Sequence, residues 1–211
     1  MKATRLLLRS VLCVLGATAA LCAHAQNYFG FGLGSGHATI PAADTTYLGS
    51  PFRATPDKTD DVAIDVYIGH QFTPYLGVEA GLAALGNGYS AHYTWLGATS
   101  TVNTYLGSLY AAATGTLPLG DSLALIGKVG VAANTMTYST NCSGAFCSQS
   151  RPERHADLMF GLAARFRLTD MWALRVEYED FGQITSDDFW GTGDSGAIKA
   201  TAWFVNAQKT F

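Results

Sequence analysis

The residues best suited to chemistry are eight charged side chains set singly among small or apolar neighbours: Asp65, Glu79, Lys128, Arg165, Arg167, Arg175, Glu177 and Glu179. Four are acids and four are bases, so brought together they would satisfy one another, or exchange partners and pass an ion. Gly193-Asp194-Ser195-Gly196 has the composition of a serine-nucleophile loop whose backbone amides would cradle an oxyanion. His155 with Ser150 or Asp157 is a second base-and-nucleophile candidate. Cys142 and Cys147 lie close in a polar segment and would close a small disulfide loop in an oxidising compartment.

Most of this chemistry lacks its context. No suitable histidine segment precedes Ser195, and Ala197 stands where a further glycine is needed. The cysteines have no second Cys or His pair to complete a zinc site, and His37, His70, His92 and His155 are scattered without metal-ligand spacing. Gly30, Gly32, Gly34 and Gly36 repeat at every second residue, which is not the G-x-G-x-x-G of a phosphate loop. The expectation is no catalytic residue, no cofactor and no metal.

The elements that must position the charges are strands. In the segment from Asp157 to Gly182, Leu158, Phe160, Leu162, Ala164, Phe166 and Leu168 alternate with Asp157, Met159, Gly161, Ala163, Arg165 and Arg167. After Thr169-Asp170-Met171, Trp172, Leu174, Val176 and Tyr178 alternate with Arg175, Glu177 and Glu179. Two period-two runs joined by a turn make a β-hairpin. Similar runs cover Tyr28 to Gly34, Val62 to Phe72, Tyr75 to Gly86, Thr104 to Leu117, Ser122 to Asn134 and Ile198 to Phe211. On the fourth of the eight, the polar face is Ser108, Tyr110, Thr114 and Thr116.

Connections between these strands alternate long and short, with long loops near residues 37–61, 87–103, 135–155 and 183–197. Residues 1–25 read as a secretory signal peptide, with Met1-Lys2-Ala3-Thr4-Arg5, an apolar run and small residues at Ala23 and Ala25, so residues 26–211 form the expected domain. A lipid anchor on Cys22 is not expected, since Leu21 precedes it. Charged residues are 14% of the chain and the formal net charge is −3, which leaves no basic footprint for nucleic acid. After the leader, no apolar run approaches the roughly 18 residues of a membrane helix, yet 48% of residues are hydrophobic. A transmembrane β-barrel reconciles the two, because its apolar residues occupy alternate positions.

Periodicity alone leaves a soluble, lipid-carrying barrel open. Three features favour the membrane form: few charges and many glycines on the polar face, acids and bases in near balance, and aromatics beside the short turns. Phe72, Tyr75, Trp172 and Phe211 are the expected membrane-interface aromatics.

The segments GHQFTPYLGVEAGLAALG (Gly69 to Gly86), LPLGDSLALIGKVGVA (Leu117 to Ala132) and LRVEYEDFG (Leu174 to Gly182), with a last strand ending at Phe211, resemble the OmpA-like eight-stranded outer-membrane barrels. The resemblance implies an all-β, antiparallel up-and-down barrel in the outer membrane of a Gram-negative bacterium, with both termini periplasmic. It places Glu79, Lys128, Arg175 and Glu177 inside the lumen. It also implies three kinds of partner: outer-membrane lipid and lipopolysaccharide, the barrel-assembly machinery through the C-terminal strand, and a surface ligand through the outer loops. Two departures stand out. Lys209 occupies the place of a family aromatic two residues before the terminal Phe, and a peptidoglycan-binding domain after the barrel is not expected. The expected function is envelope structure and surface display without catalysis; the alternatives are a low-conductance pore gated by lumen salt bridges, a lipid-modifying rim enzyme and a lipocalin-like carrier.

Overall fold

The computed structural model describes residues 26–39, 46–47, 50–51, 55–58, 60–86, 89–95, 98–142, 150–186 and 196–211. The expected leader lies outside these residues, as do Ser195 and Cys147, and with Cys147 the expected disulfide to Cys142.

Among the described residues, eight strands wall the barrel: β1 Gln26–Thr39, β2 Asp60–Gln71, β3 Leu76–Ala84, β4 Ala98–Pro118, β5 Leu123–Cys142, β6 Ser150–Arg167, β7 Trp172–Ser186 and β8 Gly196–Thr210. Each pairs antiparallel with its neighbour in sequence, and β1 closes on β8 from Tyr28 opposite Thr210 to Thr39 opposite Lys199. Closure leaves no edge strand, so the backbone groups of every wall strand find partners within the chain.

The three short connections are built alike. Phe72, Leu119 and Leu168 each donate their backbone N–H to the carbonyl four residues on, at Leu76, Leu123 and Trp172. In two of them a threonine fixes the turn: Thr73 Oγ1 accepts from the amides of Tyr75 and Leu76, and Thr169 Oγ1 from those of Met171 and Trp172. These define a turn end; the long connections define a loop end.

Alternation puts apolar side chains outside and polar ones inside. Leu162 is 71% exposed and Leu33 63%, whereas Arg175 and Glu179 are completely buried. Ser108, Tyr110, Thr114 and Thr116 also face inward and are buried, as their spacing predicts.

Strands run further at the loop end than the sequence pattern indicates. β4 begins at Ala98, β5 continues to Cys142 and β6 starts at Ser150, so much of the segments near 87–103 and 135–155 is strand. A short strand, Tyr89–Trp95, folds onto the start of β4. These extensions, such as Thr-Ser-Thr-Val-Asn-Thr and Thr-Met-Thr-Tyr-Ser-Thr, are mostly polar in sequence, with Met136 as an inward apolar residue. They are rich in β-branched threonine, which favours strands, but hold too few apolar residues for a clear period-two pattern.

The inward glycines make room for tyrosines. Tyr67 lies directly opposite Gly30, Tyr28 opposite Gly69, and Tyr110 opposite Gly81. A Cβ built at Gly30 would stand 2.1 Å from the Tyr67 ring, and one at Gly69 the same distance from Tyr28. Each ring folds over the glycine across from it, so glycine here is a packing surface. Gly115, on the outer face, has nothing within 4 Å of such a Cβ. Gly30→Ala and Gly69→Ala should each lower unfolding free energy by about 1–3 kcal/mol through overpacking, while Gly115→Ala should leave it unchanged, as read from urea unfolding in lipid vesicles. Equal effects at all three sites would contradict the ring-over-glycine packing.

Candidate functional site in the barrel lumen

The charges gather where β2, β3, β5 and β7 face one another. Arg175 grips Glu79 with both terminal nitrogens, Nη1 to Oε1 at 2.6 Å and Nη2 to Oε2 at 3.1 Å. Its Nη2 also reaches Glu177 Oε2 at 2.9 Å. Lys128 Nζ meets three carboxylates: Glu79 and Glu177 at 2.9 Å each, and Glu179 at 2.5 Å. An ammonium has three N–H donors and each finds an acid here.

Neutral groups complete the network. Tyr28 donates its hydroxyl proton to Glu79 at 2.9 Å, Tyr110 donates to Asp65 at 3.2 Å, and Asn206 Nδ2 donates to Glu177 Oε1. The Lys128 ammonium also sits 5.4 Å from the Tyr67 ring centre and 5.3 Å from that of Tyr110, while Arg175 stacks 4.8 Å from Tyr67. The same tyrosines that cover the glycines therefore offer their π-faces to the buried cations. Asn206 and Gln208 belong to the site without having been singled out in sequence; extending the β8 alternation inward from Ile198 would have found both.

The eight charges do not form one balanced cluster. Asp65, Glu79, Glu177 and Glu179 share the middle of the lumen with only Lys128 and Arg175. Arg165 and Arg167 line the turn-end mouth, Arg165 in register with Arg175 and Arg167 about 7 Å further along the wall toward the turn. Asp65 Oδ2 and Glu179 Oε2 have no hydrogen-bond donor among the described residues.

Toward the loop end the lumen turns apolar. Leu85, Leu106, Met136, Met159, Phe181, Ile184 and Ile198 are all buried there, at no more than 4% exposure. Leu106 faces Met136 across β4 and β5, and Ile184 faces Ile198 across β7 and β8. Along its axis the barrel thus has an arginine mouth, an ionic middle and an apolar plug.

Among the described residues, the rim does not bring the expected nucleophile and base together. Ser150 and His155 are five residues apart on β6, which separates their backbones by about 17 Å. The Asp157 carboxylate is committed to the backbone, accepting from the Gln183 amide at 2.7 Å and the Leu158 amide at 2.8 Å. It thereby clamps a bulge in β7 between Asp180 and Gln183, where Gly182 adopts φ +80°. No group of three metal-ligating side chains occurs among the described residues.

At the turn end, Phe72, Tyr75, Trp172 and Phe211 all stand on the outside of the wall. Lys209 lies directly opposite Trp172 and places its ammonium 5.8 Å from the Trp172 ring centre and 5.1 Å from that of Phe211. The lysine that replaces an aromatic is held by the two aromatics beside it.

A closed antiparallel barrel with an apolar exterior and a buried ionic interior is a transmembrane β-barrel. The model of the outer membrane protein beta-barrel domain matches residues 10–211, and the chain belongs to that family. It is an integral outer-membrane protein. Among solved structures it is similar to the attachment invasion locus protein Ail of Yersinia pestis, at 14% identity and TM-score 0.51, covering 89% of this chain and 99% of Ail. Neisserial surface protein A matches at 10% identity and TM-score 0.56, with 89% and 99% covered. The outer membrane protein OprG from Pseudomonas aeruginosa matches at 12% identity and TM-score 0.55, with 89% and 96% covered. At these identities the likeness is one of fold. A search of curated proteins finds no match.

Lys128→Met should destabilise the barrel by about 3–5 kcal/mol, because three buried acids lose a shared cation. Adding Glu179→Gln should recover part of the loss; no recovery in urea unfolding would mean that Glu179 does not depend on Lys128. The Asp157 clamp makes a pH prediction. Its two backbone hydrogen bonds, that from Gln183 foremost, hold its carboxyl below the ordinary carboxylate value. A depressed folded-state value contributes stability that is present above the unfolded value of about 4 and lost as pH falls through the folded one. The protection factor of the Gln183 amide, taken against its intrinsic exchange rate at each pH, should therefore fall on acidification, and Asp157→Asn should abolish that fall.

Proposed function

We propose that this protein is a non-enzymatic envelope barrel whose lumen is closed and whose working surface is the loop end. The observation that carries this reading is the lumen's filling: a buried ionic network in the middle and an apolar plug above it. Charges held by Lys128 and Arg175 do not conduct unless they exchange partners, and an apolar layer excludes water even if they do. The spacing of Ser150 and His155 and the backbone commitment of Asp157 argue against rim catalysis. Loops on a rigid wall are where recognition resides, and β4 and β5 carry theirs well beyond the barrel.

In this reading the short turns and both termini face the periplasm, and the loop end faces outward with lipopolysaccharide around it. The C-terminal strand, with Phe211 and the Lys209–Trp172 contact, is the element presented to the assembly machinery.

Two measurements test the proposal. In planar bilayers the refolded chain from Gln26 to Phe211 should insert and remain electrically silent; discrete conductance steps altered by Lys128→Ala would replace this reading with a gated pore. On intact cells an epitope inserted at Asp194 should bind antibody, whereas one inserted at Asp121 should bind only after the outer membrane is opened. The reverse pattern would invert the orientation.

A further inference from the structure

We propose that the turn-end mouth of the barrel is an oxyanion-binding vestibule built on Arg165 and Arg167, taking a phosphate-class anion. A cavity of about 320 Å³ lies between the three short turns, and both arginines line it together with Gln208 and Trp172. The volume corresponds to roughly ten waters at ~30 Å³ each, enough for one tetrahedral oxyanion and part of its hydration shell. Arg165 and Arg167 are alternate residues of β6, so both project to the lumen side about 7 Å apart.

Their charge is unused. Arg175 spends its guanidinium on Glu79 and Glu177, but neither Arg165 nor Arg167 has an ion pair or hydrogen bond to a described residue. Asp121 and Asp170 border the same cavity from the turns without pairing with either arginine. Arg165 also sits directly opposite Arg175 across β6 and β7, a like-charge pair that costs stability. A bound oxyanion would offset that repulsion and meet the planar donor forks in the geometry for which guanidinium is suited. Above the cavity the lumen is closed by the ionic network and the apolar plug, so the mouth is a terminal recess and not the entrance to a channel.

The anion has two sources with the same chemistry, a free phosphate or the head group of a phospholipid in the adjoining leaflet. Trp172 at the cavity edge provides a reporter. Refolded protein in a non-ionic maltoside detergent is titrated with inorganic phosphate against chloride at equal ionic strength. The expected result is a saturable change in tryptophan emission together with a phosphate-specific rise in unfolding temperature. Trp172→Phe should lose the emission change and keep the thermal shift. The double variant Arg165→Gln/Arg167→Gln should lose both responses, and the double Lys variant, which keeps charge without the fork, should bind about tenfold more weakly. Lys199→Gln, at the other end of the barrel, should respond like the unaltered protein.

Repeating the titration in phosphatidylglycerol nanodiscs separates the sources. A persisting response assigns the site to the free ion, and a response abolished by lipid but restored in detergent assigns it to the head group. No saturable response of the unaltered protein in detergent would overturn the proposal, as would phosphate binding retained by the double Gln variant. Heat-modifiable migration in electrophoresis confirms that each variant is folded before it is scored.

Discussion

Within a bilayer no water is available to backbone amides, and the closing pair of β1 with β8 is what meets that constraint. Were those twelve residue pairs from Tyr28–Thr210 to Thr39–Lys199 missing, two strands would expose unpaired donors and acceptors to hydrocarbon. Closure with eight strands then fixes how much can go inside, since so narrow a barrel admits side chains and little else. The glycines opposite Tyr28, Tyr67 and Tyr110 follow from that limit. So does the economy of the ionic network, in which Lys128 alone serves three acids.

The lumen is layered because the strands deliver different side chains at different heights. On β7 the order Arg175, Glu177, Glu179, Phe181 runs from the mouth through the ionic middle into the apolar plug within four inward positions. Burying so many acids with so few bases is costly, and the tyrosine hydroxyls and Asn206 reduce that cost by donating to Asp65, Glu79 and Glu177. Specificity of register is a natural return on such a network: a two-residue slip of β7 would bring Arg175 to the height of Glu177 and dismantle every pair it makes.

Much of this was legible in the sequence. Alternation separated the two faces of seven of the eight strands, including the weakly patterned β4 with Ser108, Tyr110, Thr114 and Thr116, and the sparse, nearly balanced charges and the glycines indicated which face lies inside. Other features were hidden for physical reasons. Arg165, Arg167 and Arg175 look equivalent on paper, and Arg165 is even the cross-strand partner of Arg175, yet only Arg175 turns its guanidinium onto the acids while the other two line the turn-end mouth. The near balance of eight charges is real in number but not in place. The loop-end extensions of β4 and β5 are mostly polar in sequence, and a strand with so few hydrophobic residues leaves little period to read. The β7 bulge at Gly182 depends on a carboxylate from β6, a partner 25 residues away in the chain.

Those extensions have a mechanical consequence. A transmembrane strand needs about 9–11 residues to cross the hydrocarbon, whereas β5 runs from Leu123 to Cys142 in unbroken register with β4 as far as Ser100. The surplus forms a hydrogen-bonded ribbon roughly 30 Å long beyond the hydrocarbon at strand rise. It is a cantilever continuous with the barrel wall, and its backbone pairing with β4 sets the height of its outer end. Whatever approaches the loop end meets that tip before it meets the wall.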